Sequence, residues 1–201
     1  MTDRSSTEAP QAIHDFLRCS ESSITIYLSG TIRKGAHDTR PDYLFWSDDE
    51  EKYISENIAD CAPRMLNPAK TPIQRGDFRA NFGCDLYLIS ISDVMMVDAR
   101  HEKGVGVGAE MMYAHLFEIP VITICPPNSN YRRSFLPNVY GEDLHNWTHP
   151  FIDGLSDHIA DNVQHAVAII NSLGCDGLRE SRREPLPAAI QYFRQKYGIK
   201  D

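Results

Sequence analysis

The most regular signal along the chain is a set of short apolar runs, separated by stretches in which apolar residues recur every three or four positions. The first run is Ile24-Thr25-Ile26-Tyr27-Leu28, closed by Ser29-Gly30. The second is Asp93-Val94-Met95-Met96-Val97-Asp98, and the third Pro120-Val121-Ile122-Thr123-Ile124-Cys125, closed by Pro126-Pro127-Asn128. Runs of this length between turn formers predict buried strands of the parallel-sheet kind. A weaker extended stretch is expected at 63–66. The intervening stretches predict helices at 43–58, 76–91, 109–117, 156–173 and 187–197. In the second of these, Phe78, Phe82, Leu86 and Ile89 form an apolar stripe at helical spacing. In the fourth, Ile159, Val163, Ala166, Ile170 and Leu173 do the same, with Ser156 as cap and Gly174 as stop.

Strands alternating with helices predict an α/β fold: a doubly wound, mainly parallel sheet with helices on both faces, flavodoxin-like or Rossmann-like, with C-terminal helices added. Residues 1–20 read as a flexible leader with room for a short helix near 12–18, and residues 21–201 as a single domain. In such sheets a ligand sits beyond the carboxyl ends of the strands. The loops after Leu28, Asp98 and Cys125 therefore carry the candidate chemistry.

Composition narrows the partners. The 201 residues carry a formal net charge of −8 and no basic block, which speaks against gripping nucleic acid or an anionic membrane. A small anionic ligand stays open, because a few local donors can hold one phosphate. The five cysteines, Cys19, Cys61, Cys84, Cys125 and Cys175, are odd in number and far apart, so reduced thiols in a reducing, cytoplasmic setting are expected. The first ten residues are polar and lack an apolar signal-type segment, and no stretch approaches a membrane span.

Three carboxylates stand out. Glu110 follows Gly104-Val105-Gly106-Val107-Gly108-Ala109, where the glycines let a ligand approach the backbone. A first-turn position would hold it ionised through the helix dipole, ready to act as a nucleophile, or simply let it stabilise the helix. Asp85 falls on the Phe78–Ile89 stripe, where a carboxylate is costly without partners or a task; a position at the stripe's edge is the alternative. Asp98 ends a strand, where it either serves the site or orders the following turn. Carboxylates meeting on one rim suit glycosidic chemistry, with one as nucleophile and one as acid.

The loop Ser29-Gly30-Thr31-Ile32-Arg33-Lys34-Gly35 joins hydroxyls, glycines and two cations, a donor set suited to a phosphate or else an ordinary solvated loop. Ser129, Arg132, Arg133 and Ser134 add similar donors in the third loop. The glycine segment also fits G-x-G-x-x-A, but it does not follow its strand directly and lacks a ribose-binding acid downstream, which excludes a dinucleotide oxidoreductase. His145/His149 and His158/Asp161/His165 make no convincing zinc set, so no metal is expected.

Taken in order, Tyr27-Leu28-Ser29-Gly30, Asp85-Leu86, Ser92-Asp93-Val94, Gly106-Val107-Gly108-Ala109-Glu110, Tyr113-Ala114 and Pro120-Val121 resemble the nucleoside deoxyribosyltransferase superfamily over about residues 24–135. The first loop is most similar to that of the deoxynucleoside 5′-monophosphate N-hydrolases. The resemblance implies that Glu110 attacks the anomeric carbon and Asp85 protonates the departing base. It further implies that Gly30, Thr31 and Arg33 form a phosphate loop, that Tyr27, Ser29, Gly106 and Gly108 line the substrate, and that Ser134 reaches the phosphate from a neighbouring subunit. A homo-oligomer, at least a dimer, needing no cofactor is implied as well. Six residues before Glu110 the transferases carry Asp and the hydrolases Ser; this chain has Gly104. Hydrolysis of a nucleoside monophosphate is the first expectation. Base exchange between nucleosides, or nucleotide sensing without turnover, are the alternatives.

Overall fold

A computed structural model describes residues 5–17, 24–59, 62–178 and 185–199. Five strands form one parallel sheet: β1 (Ile24–Ser29), β2 (Pro63–Leu66), β3 (Val94–Asp98), β4 (Val121–Ile124) and β7 (His158–Ala160), in the order β2-β1-β3-β4-β7. All six residues of β1 and all five of β3 are buried, so the unbroken apolar runs mark strands covered on both faces. A separate antiparallel ribbon, β5 (Arg132–Val139) with β6 (Glu142–Thr148), lies between β4 and β7 in the chain.

Helices cover both faces. On one side α2 (Asp48–Asn57) and α6 (Val163–Gly177) close a core containing Ile26, Leu28, Ile54, Met96 and Ile170. On the other, α3 (Phe78–Ser90), α4 (Val105–Leu116) and α5 (Pro150–Leu155) close a core of Tyr27, Leu88, Met95, Val97 and Met111. Helix α1 (Ser5–Leu17) sets Phe16 and Leu17 against this second core, and Arg64 of β2 donates to the Phe16 carbonyl. Helix α7 (Leu186–Tyr197) ends the described chain. The doubly wound α/β expectation holds, in the flavodoxin-like strand order.

Four local expectations change. The segment 43–58 is not one helix: a 3₁₀ turn at Asp42–Leu44 precedes α2, which starts where Ser47 and Glu50 form a capping box. The segment 156–173 splits, because Ile159 belongs to β7, the fifth strand of the sheet. Helix α6 starts after Asn162, whose side-chain oxygen accepts from the His165 amide, and Gly174 (φ 65°) breaks it. The loop expected after β4 contains the ribbon, whose strands lack apolar alternation and include Pro137. On α3, Leu88 and Ile89 are buried, but Phe78 and Phe82 are 83% and 65% exposed. That helix begins at the carboxyl edge of the sheet, so its first turns have no strand beneath them.

Candidate active site

The strand order reverses between β1 and β3, since the chain leaves β1 for β2 on one side and returns to β3 on the other. The carboxyl ends of β1 and β3 therefore flank the crevice where this architecture places ligands. Ser29 and Gly30 end the first strand, Asp98 ends the third, and Ser29 pairs in register with Val97.

Glu110 projects into this crevice from α4. The Ser29 hydroxyl donates to its Oε2 at 2.5 Å. The helix starts at Val105, earlier than expected, so Glu110 is its sixth residue and lies beyond the first turn, where the helix dipole acts most strongly. Its charge state is set by other forces. Burial pushes its carboxyl up to about 7, the Ser29 bond opposes the rise, the nearby Asp85 charge adds to it, and the Tyr27 hydroxyl opposes it weakly. The expectation of a plainly ionised carboxylate gives way to one that titrates near neutrality. Part of the residue's surface still meets solvent, as access for a ligand requires.

Asp85, half-buried on α3, has its carboxyl raised by burial despite the opposing charge of Arg75. Tyr27 is fully buried and its phenol is raised, first by burial and then by the charges of Glu110 and Asp85. Its hydroxyl is near enough to influence Glu110 but makes no hydrogen bond of ordinary geometry. The crevice thus gathers two carboxyls, a phenol and a hydroxyl, and no cation figures among the groups that set the Glu110 charge.

Asp98 differs from the other two carboxylates. Fully buried, it receives Arg100 Nε at 2.8 Å and the Arg100 amide at 3.1 Å on one oxygen, and Lys103 Nζ at 2.8 Å on the other. Burial pushes it up, but the Arg100 bond and the Lys103 and Arg100 charges outweigh that and hold it below the usual carboxylate range. Paired with two cations, it has no proton to give and no free lone pair of attacking character; it organises its surroundings. Arg100 also pairs with Glu50 of α2, and Lys103 Nζ reaches Thr31 Oγ1 at 3.4 Å and the Leu44 carbonyl at 3.5 Å.

The first loop is braced internally. Arg33 donates to the carbonyls of Asp38 (2.7 Å) and Arg40 (3.4 Å), pairs with Asp42, and lies over the Phe45 ring at 4.2 Å. Its guanidinium is engaged rather than waiting for an anion. A cavity of about 150 Å³ opens here among Gly30, Thr31, Arg33, Trp46, Asn67 and Lys70. Gly104 caps α4 without a side-chain bond, and a Cβ built on Gly104, Gly106 or Gly108 would meet nothing within 4 Å. The start of α4 is thus uncrowded by neighbouring side chains, and a helix start carries amides without intrahelical partners. Ser134 lies exposed on the ribbon, and its hydroxyl bonds to Asn128 Oδ1 at 3.1 Å rather than to any of these groups. Among the described residues no set of three or more His, Cys, Asp or Glu could hold a metal ion, and His158 lies on β7 rather than on a helix with Asp161 and His165. No helix among them is long and apolar enough to cross a membrane.

Sequence reasoning missed Trp46, Arg100, Glu50 and Lys103, which brace the site. Only Glu50 left a signal, through its capping-box spacing from Ser47. Arg100 and Lys103 lie two and five residues after Asp98 yet leave no mark in the spacing, and Trp46 meets Ser29 only through folding of the first loop.

No protein-family model matches the chain, and no curated protein matches it. Among solved structures, a conserved protein from Enterococcus faecalis V583 is 14% identical, with a TM-score of 0.53 over 74% of this chain and 98% of its own. A 2-deoxyribosyltransferase from the psychrotolerant bacterium Bacillus psychrosaccharolyticus is 13% identical, with a TM-score of 0.44 over 77% of this chain and 95% of its own. The first likeness supports the fold alone, and the second is too loose to carry an argument. The chemistry of this chain has to be argued from Glu110 and its surroundings.

Proposed function

We propose that this chain is an enzyme that cleaves the N-glycosidic bond of a nucleoside 5′-monophosphate through a covalent glycosyl-Glu110 intermediate resolved by water. The observation that carries the reading is the Glu110 carboxyl. It is largely buried at the switch point, held by the Ser29 hydroxyl and set beside a second raised carboxyl, and among the described residues no cation pairs with it. A structural carboxylate at this depth needs a cation or several donors, and Asp98 at the end of β3 shows what that looks like. Glu110 has one hydroxyl, which fits a group kept reactive.

The charge of Asp85 adds to the rise of the Glu110 carboxyl, so the state of one bears on the other. As the glycosidic bond loosens, positive charge develops on the anomeric carbon beside Glu110. That charge favours ionised Glu110 and leaves the proton on Asp85. A Glu110 oxygen forms a bond to the anomeric carbon while the carbon–nitrogen bond breaks, and Asp85 gives its proton to the departing base. In the second half, ionised Asp85 takes a proton from water as the water oxygen attacks the same carbon and releases Glu110. The products are free base and sugar 5-phosphate.

For the phosphate, the first α4 amides after Gly104 supply donors at a helix start, and Thr31 faces the same edge. A neutral residue at 104 leaves room for an anion there. Arg33 reaches the phosphate in this reading only by exchanging its bonds to Asp42 and the loop carbonyls. A homo-oligomer belongs to the same reading: Phe78, Phe82, Val105 and Leu116 are exposed apolar residues on adjoining helices α3 and α4, and Ser134 is exposed on the ribbon.

Incubation with a panel of nucleosides and their 5′-monophosphates, followed by product analysis, tests the proposal. Free base with sugar phosphate is expected. Base exchange between nucleosides would replace hydrolysis with transfer, and binding without products would remove the enzymatic reading.

A further inference from the structure

Trp46 stands between the first loop and α2, half-buried against the core on the α2 face. Its indole Nε1–H donates to the carbonyl oxygen of Ser29 at 3.0 Å. The ring also lies directly on Gly30: a Cβ built there would come 3.0 Å from Trp46 Nε1, 3.2 Å from Cδ1 and 3.5 Å from Asp98 Cβ. A side chain at 30 would therefore press on the indole, and no positive φ is involved. On its other side the indole carries the Arg100 guanidinium, 5.6 Å from the ring centroid. Arg100 is itself fixed by Asp98 and Glu50. The last residue of β1 is held by the indole, which Arg100 braces from the loop after β3 and, through Glu50, from α2.

Ser29 is the residue whose hydroxyl holds Glu110. We infer that Trp46 is a positioning residue for Glu110: by fixing the Ser29 carbonyl and packing on Gly30, it sets the backbone from which the Ser29 hydroxyl reaches the Glu110 carboxyl. A hydroxyl on a serine held only by its strand end would share its time among rotamers; a 2.5 Å bond to a carboxylate requires one. The inference rests on Glu110 being the reacting carboxylate, as proposed above. The hydrogen-bond geometry does not depend on that reading. The groups facing Glu110 are Tyr27 and Ser29 from β1 and Asp85 from α3, with Cys84 beside Asp85; Lys103 and Arg100 are taken up by Asp98 behind Gly30. Ser29 is the one group among these that gives Glu110 a hydrogen bond of ordinary geometry; the buried Tyr27 hydroxyl acts on it only weakly, so loosening Ser29 is felt at the carboxyl.

The test uses the full chain with Trp46→Phe, which keeps the ring packing and removes the N–H, together with Ser29→Ala and the double variant. The first readout is the titration midpoint of the Glu110 carboxyl, followed by ¹³C NMR on glutamate-labelled protein and assigned by its loss in Glu110→Gln. It needs no substrate. Trp46→Phe is expected to move the midpoint upward, by as much as about one pH unit, because a looser Ser29 favours the carboxylate less. It should lower kcat/KM about two- to ten-fold, the range of one neutral hydrogen bond, with the loss in kcat rather than KM. In the Ser29→Ala background the same change should do nothing further, since the hydroxyl it positions is gone. Gly30→Ala provides a second route, because its Cβ must push the indole off Ser29 without removing it, and the midpoint should rise as in Trp46→Phe. An unchanged midpoint in folded Trp46→Phe, or losses that simply add in the double variant, would overturn the inference and leave Trp46 as wall. A shifted midpoint in a protein that turns over no nucleotide would uphold Trp46 and sink the proposed reaction instead.

Discussion

Replacing Glu110 by Gln removes a buried charge, and the consequence for stability can be worked from its surroundings. In the folded protein the carboxyl titrates at about 7, against an ordinary value of 4.5. The folded-state value is the higher one, so the folded protein holds this proton more tightly than the unfolded chain does. Below about pH 4.5 the neutral form is present in both states and the site costs nothing extra. Between there and pH 7 the unfolded chain releases its proton first, and stability falls as pH rises; above the folded value the loss is complete. A difference of about 2.5 pH units corresponds to roughly 3 kcal/mol, and residual solvent access brings the usable figure to about 2 kcal/mol. For a domain of this size that is about 4–8 °C in Tm. Thermal melts of wild type and Glu110→Gln from pH 4.5 to 8.5 check it: the curves should coincide at the acid end and separate above pH 7, with Glu110→Gln the more stable. A wild type equal to or more stable than Glu110→Gln at pH 8 would refute the claim that this carboxyl is buried without compensation, a cost kept for reactivity rather than for the fold.

Ser29→Ala removes a charge-assisted bond worth about 1.5–3 kcal/mol, so the acid limb of the pH–rate profile should move up by about one to two pH units, and activity at pH 7 should fall accordingly. Asp85→Asn should damage cleavage of natural bases far more than cleavage of a substrate whose leaving group needs no proton; equal losses would move the acid role elsewhere. Arg33→Ala should raise KM for a 5′-monophosphate about ten-fold and leave cleavage of the unphosphorylated nucleoside nearly unchanged. Equal losses on both would show that its bonds to Asp42 and the Asp38 carbonyl brace the loop and no more.

The strands and the site differ in how plainly the sequence carries them. β1, β3 and β4 are legible because a strand buried on both faces has no polar positions to interrupt it. β7 is not: three residues whose apolar spacing continues that of α6 look like an extra helical turn until β4 is there to pair with them. The ribbon β5–β6 is hidden for the opposite reason, since neither of its faces joins a core and no alternation is required of it. Position along the chain singles out Glu110 and Asp85 as candidates, but the structure changes the argument for each. The helix starts before the glycines end, and the Phe78–Phe82 half of the α3 stripe overhangs the sheet, so burial rather than dipole or stripe sets both carboxyls. Asp98 looked like their equal in the sequence. Its pairing with Arg100 and Lys103, two and five residues on, is local in the chain, yet nothing in the spacing says that both side chains turn back onto one carboxylate. The phenol of Tyr27, read as part of a strand motif, proves to face Glu110 because alternation along β1 sends Tyr27 and Ser29 to the same side.

The central claim is the covalent bond between Glu110 and the sugar, and intact-protein mass spectrometry tests it most directly. A 2-fluoro-substituted nucleoside monophosphate with a good leaving group slows release of the intermediate, because fluorine disfavours the positive charge that both steps develop. Brief incubation should add the mass of one fluorinated sugar phosphate, and digestion should place it on the peptide containing Glu110, with no addition to Glu110→Gln. Turnover of the natural substrate without any adduct, or an adduct on another residue, would contradict Glu110 as nucleophile.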